Sequence, residues 1–225
     1  MLNGLFYSLP YDVLNDFVPI SPLVRTPQAL FARKTMPAND LYELIGWLKT
    51  NPNTATAGVV TVSSRLMIPV FQRETGTQFA VVPYWGAAPE MQDLAASQID
   101  LTFAGAIWLT LVRSGAIKAY AVTSDTRLAE ASDIPTFAEM GLRSLSYSSW
   151  YGLFAPKGTP KDIIGRLNAA VVEALADQAV RHRLAELGME VFPRERQTPE
   201  AFGALQKADA EKWWPIIKEL GIKAE

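Results

Sequence analysis

The sequence contains no cysteine and a single histidine, His182. The absence of cysteine excludes disulfides, thiolate metal sites and cysteine nucleophiles. A single histidine nearly excludes a histidine-built metal site, and it removes the usual general base of a hydroxyl nucleophile. These absences argue against the catalytic chemistries that depend on the two residue types.

Charge of either sign is not in excess, since 21 Lys and Arg stand against 23 Asp and Glu. Nucleic acid and an anionic membrane are therefore poor candidates for a partner. No apolar run approaches the roughly 18 residues of a membrane span. The amino terminus, MLNGLFYSLPYDVLNDF, lacks the layout of a signal peptide, so we expect a cytoplasmic protein if Met1 is the true start.

Sequence motifs of enzymes are also missing. No phosphate-loop pattern, nucleotide fingerprint or metal-ligand spacing occurs. A carboxylate pair such as Asp93 and Asp100 could be imagined as acid and base, but a helix surface and a strand start explain the two residues better. We predict that the chain is not an enzyme and that it holds neither a cofactor nor a metal ion.

Helix signals and short apolar runs alternate along the chain. Asn39-Asp40, Thr159-Pro160, Asp177 and Thr198-Pro199 each precede apolar residues at helical spacing. Apolar runs typical of buried strands lie between these helices, at 78–83, 99–104, 117–123 and 149–155. This alternation predicts an α/β fold. The first strand is expected only at 29–33, after a turn-rich opening, so we expect the chain to begin partway through a domain.

The stretch ATAGVVTVSSR carries the hydroxyls of Thr61, Ser63 and Ser64 ahead of a predicted helix. A helix amino terminus has unpaired N–H groups and a partial positive charge, so it holds a carboxylate well. One of the two serines could instead simply cap the helix. Arg65 beside them could offer forked donors to a carboxylate, or be an ordinary surface arginine. Both interpretations remain open from the sequence.

Several longer phrases occur together in the order of one protein family. The phrases are LPYDVLNDFVPISPL, TAGVVTVSS, VVPYWGAAPEMQDLAASQIDLTF, IKAYAVTSDTR, DIPTFAEMGL and SSWYGLFAPKGTPKDIIGRLN. Through them the chain resembles the substrate-binding proteins of tripartite tricarboxylate transporters, the Bug family, over nearly its whole length. The resemblance implies a two-lobed, type II periplasmic binding protein fold, with mixed or parallel sheets flanked by helices. Lobe one would comprise 1–24 and 122–225 and lack its opening strand–helix units, and lobe two would comprise 25–121.

The same resemblance implies a function. The protein would capture a small organic carboxylate in an interlobe cleft, without catalysis, for a tripartite tricarboxylate-type transporter. Its further partners would be the membrane permease subunits, and its location the periplasm. A cytosolic ligand-sensing or interaction module derived from the same fold is the alternative. An incomplete lobe would also expose an apolar face or a sheet edge, which invites a homodimer.

The family pattern also points to individual residues. It has a cleft-facing strand end at Tyr84 and Trp85, usually with a lysine or arginine in place of Trp85, although both aromatic residues could instead pack the strand end. It often has an aspartate at Ala104, and Ser149 could face the cleft. With alanine and tryptophan at these positions, we expect a ligand with an apolar or aromatic body. The predicted ligand-binding residues are Thr61, Ser63, Ser64, Arg65, Tyr84, Trp85, Ala104 and Ser149.

Overall fold

The computed structural model describes residues 9–221, which divide into two compact units. The first unit contains residues 9–26 and 150–221 of the described chain, and the second contains Pro27–Ser149. Strand β1 (Phe17–Arg33) begins in the first unit and ends in the second. Each unit has its own sheet pairings and its own buried residues.

A five-stranded sheet forms the centre of the second unit. It contains the second half of β1 together with β2 (Thr56–Val59), β3 (Ala80–Pro83), β4 (Leu101–Gly105) and β5 (Ile117–Val122), in the order β3-β2-β4-β1-β5. Strand β2 is parallel to β3 and β4, whereas β1 is antiparallel to β4 and β5. The carboxyl ends of β2, β3, β4 and β5 therefore meet at one edge of the sheet.

Four helices connect the strands of the second unit. They are α1 (Leu41–Thr50), α2 (Val62–Thr75), α3 (Ala87–Ala95) and α4 (Leu109–Arg113). Helix α1 begins as the sequence predicts, because the Asp40 side chain accepts a hydrogen bond from the Glu43 N–H. Helix α2 follows β2 directly, which places its amino-terminal end at the sheet edge where the strands end.

Three buried aromatic rings join α2 to the sheet. The ring of Phe71 on α2 lies 6.0 Å from that of Phe103 on β4 and 6.3 Å from that of Phe137, between ring centroids. Phe103 and Phe137 stack at 5.8 Å. Each such ring removes on the order of 150–250 Å² from water, so the cluster holds α2 firmly against β4.

The first unit combines the first half of β1 with two further strands and three helices. The elements are β6 (Ser148–Pro156), α5 (Lys161–Ala176), α6 (Gln178–Glu186), β7 (Glu190–Val191) and α7 (Pro199–Glu219). Both β6 and β7 pair with β1. The Phe202 ring of α7 lies so close to β6 that a Cβ at Gly152 would be 1.9 Å from its Cζ, which requires glycine there.

The predicted helix starts are confirmed at all four positions, although Thr159 does not cap its helix. Asp177 and Thr198 cap α6 and α7 with their side chains. The Thr159 hydroxyl instead donates to the Pro156 carbonyl at 2.8 Å, and α5 begins after Pro160 without a side-chain cap. Pro160 occupies the N-cap position, so Thr159 lies one residue before the position from which a side chain caps the first turn.

The two units differ from the predicted lobes in one long segment. Lobe one was expected to resume at residue 122, whereas the chain up to Ser149 belongs to the second unit. The reason lies in hydrogen bonds next to β5: Val122 donates its N–H to Pro135 at 2.9 Å and accepts from the Phe137 N–H at 3.0 Å. The assignment of the family's lobes to 1–24 with 122–225 and to 25–121 stays a prediction.

A buried carboxyl lies between α3 and the sheet of the second unit. Glu90 is 2% exposed, and its Oε1 accepts a hydrogen bond from the Thr102 hydroxyl at 2.7 Å. Gly58 on β2 makes room for it, because a Cβ there would be 2.7 Å from the same oxygen. Burial raises the pKa of Glu90 to about 7, although the hydrogen bond from Thr102 acts in the opposite direction.

We expect Glu90→Gln to change how stability depends on pH. An unfolded glutamate titrates near 4.5, so its raised folded pKa gives stability that is fully present below 4.5 and is lost as the pH rises to about 7. The loss is about 3 kcal/mol. Thermal unfolding midpoints should therefore favour the variant increasingly between about pH 5 and pH 8. The exposed Glu173→Gln is the control, and parallel pH profiles of Glu90→Gln and wild type would contradict the assignment.

Candidate functional site

A capping box closes the amino-terminal end of α2. Thr61 Oγ1 accepts from the Ser64 N–H at 3.1 Å, and Ser64 Oγ accepts from the Thr61 N–H at 3.0 Å. Ser64 Oγ also accepts from the Val60 N–H at 3.2 Å and donates to the Thr61 carbonyl at 2.9 Å. The capping interpretation is confirmed for Thr61 and Ser64. Their role as ligand contacts stays a prediction.

Two backbone N–H groups remain unpaired at this helix end, beside the hydroxyl of Ser63. Among residues 9–221, no group accepts a hydrogen bond from the N–H of Val62 or of Ser63, as is usual in a first helical turn. Ser63 is 7% exposed, and its Oγ lies 2.9 Å from Thr61 Oγ1. Adjacent N–H groups beside a hydroxyl, at the positive end of a helix dipole, fit the oxygens of a carboxylate.

Gln28 on β1 completes this cluster and was not among the predicted ligand-binding residues. It is 5% exposed, and its Nε2 donates to Ser63 Oγ at 2.8 Å. Its Oε1 is buried without a hydrogen-bond partner in the described chain. One signal could have found it, because Gln28 is the only polar side chain in the otherwise apolar stretch 27–32.

Thr123, directly after β5, holds the backbone of Gln28. Its Oγ1 accepts from the Gln28 N–H at 2.9 Å, and its own N–H donates to the Gln28 carbonyl at 2.8 Å. On the other side, Gln28 stands opposite Gly105 at the end of β4. The neighbouring strands on both sides thus fix the backbone of Gln28. Its side-chain amide is held separately, by the hydrogen bond to Ser63.

Arg65 is the basic residue at this helix end. Arg65 is half-buried on α2, and within the described chain its guanidinium makes neither an ion pair nor a hydrogen bond. Its charge is therefore available to an anion near the first turn of the helix. Ala104, by contrast, is 7% exposed and belongs to the apolar core between β1 and β4.

The remaining predicted site residues are not hydrogen-bonded to this cluster. Tyr84 follows β3 and donates its phenol hydrogen to Asp93 at 2.6 Å, while burial raises the pKa of Tyr84 to about 12. Trp85 is fully exposed. Ser149 Oγ lies 3.2 Å from the hydroxyl of Tyr147. Hydrogen bonds thus join Gln28 to the helix end, whereas ligand roles for Tyr84, Trp85 and Ser149 stay predictions.

Comparison with known proteins identifies the family. The family described as "Tripartite tricarboxylate transporter family receptor" matches residues 3–222. The chain belongs to this family. The predicted family and α/β binding-protein fold are thereby confirmed, and the family is one of solute-binding receptors rather than enzymes.

Relatives and solved structures of the receptor family cover nearly all of this chain. A UPF0065 protein of Agrobacterium vitis is 32% identical over 97% of the chain, and the chain spans 64% of that relative's length. MatC of Rhodopseudomonas palustris, solved with bound malate, has a TM-score of 0.84 and 30% identity over 96% of this chain and 74% of its own. The periplasmic binding protein BugD has a TM-score of 0.80 and 32% identity over 93% of this chain and 71% of its own.

Within residues 9–221, no helix has both the length and the apolar character that a membrane crossing needs. Nor do three or more histidine, aspartate or glutamate side chains of this range come together in a group that could hold a metal ion.

We expect Thr61→Ala to destabilise the protein by about 1 kcal/mol, because the Ser64 N–H loses its acceptor. Thr61→Ser keeps the oxygen and should retain most of that stability. Ser63→Ala leaves every helix-end N–H with its acceptor but removes the acceptor of the buried Gln28 Nε2, so we expect it to cost about 1–3 kcal/mol for that separate reason. Urea unfolding followed by circular dichroism measures the differences. Equal losses in Thr61→Ala and Thr61→Ser would contradict the capping role.

Proposed function

We propose that this chain captures a small organic carboxylate as the receptor of a tripartite tricarboxylate transporter. The ligand carboxylate would bind at the amino-terminal end of α2. The observation that supports this position is the pair of unpaired N–H groups of Val62 and Ser63, next to the buried Ser63 hydroxyl. Charge-assisted hydrogen bonds of this kind are about twice as strong as those between neutral groups.

The electrostatic surroundings of this helix end favour an anion. The helix dipole contributes a partial positive charge, and Arg65 contributes a full charge that no carboxylate of the described chain neutralises. The nearby buried acid, Glu90, has a raised pKa because of its burial, so at mildly acidic pH it is mostly neutral. A carboxylate ligand would therefore meet donors and positive charge.

The family supports the ligand class and the physiological role. MatC is a relative whose structure holds malate, a small carboxylate. Because the chain spans 64% of the length of the A. vitis relative, transport, contact with permease subunits and a periplasmic location all belong to the proposal. Binding and release without chemical change would be sufficient for that role, in agreement with a receptor family.

The body of the ligand is the less constrained part of the proposal. We propose an apolar or aromatic body, because Ala104 and the exposed Trp85 leave two family positions without a polar or charged side chain. Phenyl-substituted and aliphatic acids of similar length distinguish the possibilities. Tighter binding of succinate or malate than of aromatic acids would remove this part of the proposal while leaving carboxylate capture intact.

We expect at least one acid of a panel containing malate, succinate, adipate, mandelate and phenylacetate to raise the thermal unfolding midpoint of the wild-type protein. Ser63→Ala should weaken that acid about tenfold, which corresponds to about 1.4 kcal/mol, because one hydroxyl contact to the carboxylate is lost. Isothermal titration calorimetry measures the change. The exposed Ser132→Ala serves as the control, and failure of every acid to bind wild type would contradict the proposed function.

We further propose a homodimer through the first unit. Two apolar stripes of this unit are exposed: Ile163 and Leu167 lie one turn apart on α5, and Tyr151 and Leu153 share a face of β6, with exposures of 37–55%. Apolar groups in such patches favour association.

We expect light scattering to show a mass that rises from monomer to dimer with concentration. The double substitution Ile163→Glu with Leu167→Glu should abolish the rise, because it places charges on the stripe of α5. Val180→Glu, at another exposed apolar residue, on α6, is the control. A monomer at all concentrations would contradict the dimer and would leave the carboxylate proposal unaffected.

A further inference from the structure

The side chain of Gln28 leaves one buried acceptor without a donor. Its Oε1 is buried and has no partner among residues 9–221, while Nε2 of the same amide is bonded to Ser63. An unsatisfied buried polar atom costs about 1–3 kcal/mol, and native proteins rarely keep one without a reason. Its position beside the proposed carboxylate site suggests that a ligand supplies the missing donor.

The nitrogen of the Gln28 amide is the end that is bonded to Ser63. Ser63 Oγ has Gln28 Nε2 at 2.8 Å and Thr61 Oγ1 at 2.9 Å as neighbours. Thr61 Oγ1 already accepts from the Ser64 N–H, and Ser63 Oγ accepts from Gln28. With the amide nitrogen directed to Ser63, the amide oxygen is the atom left to meet a ligand.

A carboxylate cannot satisfy this oxygen, because an ionised carboxylate accepts hydrogen bonds and donates none. The donor must therefore belong to another group of the same ligand. Ser63 connects the two positions: its N–H is one of the two proposed carboxylate donors, and its Oγ bonds Gln28 at 2.8 Å. The donor group must accordingly lie very near the carboxylate along the ligand.

We propose that Gln28 Oε1 accepts a hydrogen bond from a hydroxyl on the carbon next to the ligand carboxylate, so that the receptor prefers 2-hydroxy acids. The inference rests on the proposed function, and it assigns Gln28 as a specificity-determining residue. A 2-ammonium group could also donate, but it would be repelled by the helix dipole and by Arg65, which no acidic group of the described chain neutralises. A neutral hydroxyl meets no such repulsion.

Matched pairs of acids test this assignment. Malate and succinate form one pair, and mandelate and phenylacetate form another, each differing by the 2-hydroxyl alone. In the pair that binds, the wild-type protein should bind the hydroxy acid about tenfold or more tightly, as measured by calorimetry. The acid without the 2-hydroxyl leaves the buried Gln28 Oε1 unpaired, which weakens its binding. Gln28→Leu should reduce this ratio to about one, chiefly by weakening the hydroxy acid.

Control variants separate specificity from folding. Gln72→Leu removes an amide of the same unit that donates to the Phe79 carbonyl, and it should leave the ratio of the pair unchanged. Gln28→Met keeps the length of the side chain and should behave like Gln28→Leu. Thermal midpoints without ligand show that each variant is folded, and the wild-type ratio needs no variant at all.

Each alternative result has a distinct meaning. Equal binding of both acids of a pair by the wild-type protein would overturn the role of Gln28 and leave carboxylate capture standing. Equal weakening of both acids by Gln28→Leu would also overturn it, since the amide would then contact the carboxylate or merely position Ser63. Absence of binding by every acid would overturn both the inference and the proposed function.

Discussion

The capping box between Thr61 and Ser64 determines what the end of α2 can offer to a ligand. Both hydroxyls and the N–H groups of Val60, Thr61 and Ser64 are engaged in closing the turn. What remains is a set of donors, the N–H groups of Val62 and Ser63, with no carboxylate among them. These two N–H groups, together with the positive end of the helix dipole, favour an anion over a cation. The sign of the ligand's charge therefore depends on this small local structure.

Local signals explain how much of the fold the sequence predicted. The Asp40 cap, the apolar runs that became β4 and β5, and the Asp177 and Thr198 caps involve residues only a few positions apart. Such patterns are readable because helix and strand periodicity is a local property. The hydroxyl cluster of the candidate site was also predicted, since its members lie within four residues of each other.

Contacts between distant parts of the chain explain what the sequence did not reveal. Gln28 meets Ser63 across 35 positions and Thr123 across 95, and both contacts depend on the antiparallel insertion of β1 between β4 and β5. No periodicity of a single sequence contains that register. The hydrogen bond from Tyr84 to Asp93 was not predictable for another reason. It spans nine positions and depends on how α3 packs after β3.

The contact between Gly58 and Glu90 has a consequence for how this unit can vary in evolution. The carboxyl of Glu90 occupies the space that any side chain at position 58 would need. A Cβ at that position would also be 2.8 Å from Cδ1 of Ile99, so a larger residue on β2 requires room at both Glu90 and Ile99. Exchange of glycine at position 58 is therefore tied to the side chains at two other positions, and the strand that leads into the helix end keeps its shape only when they change with it.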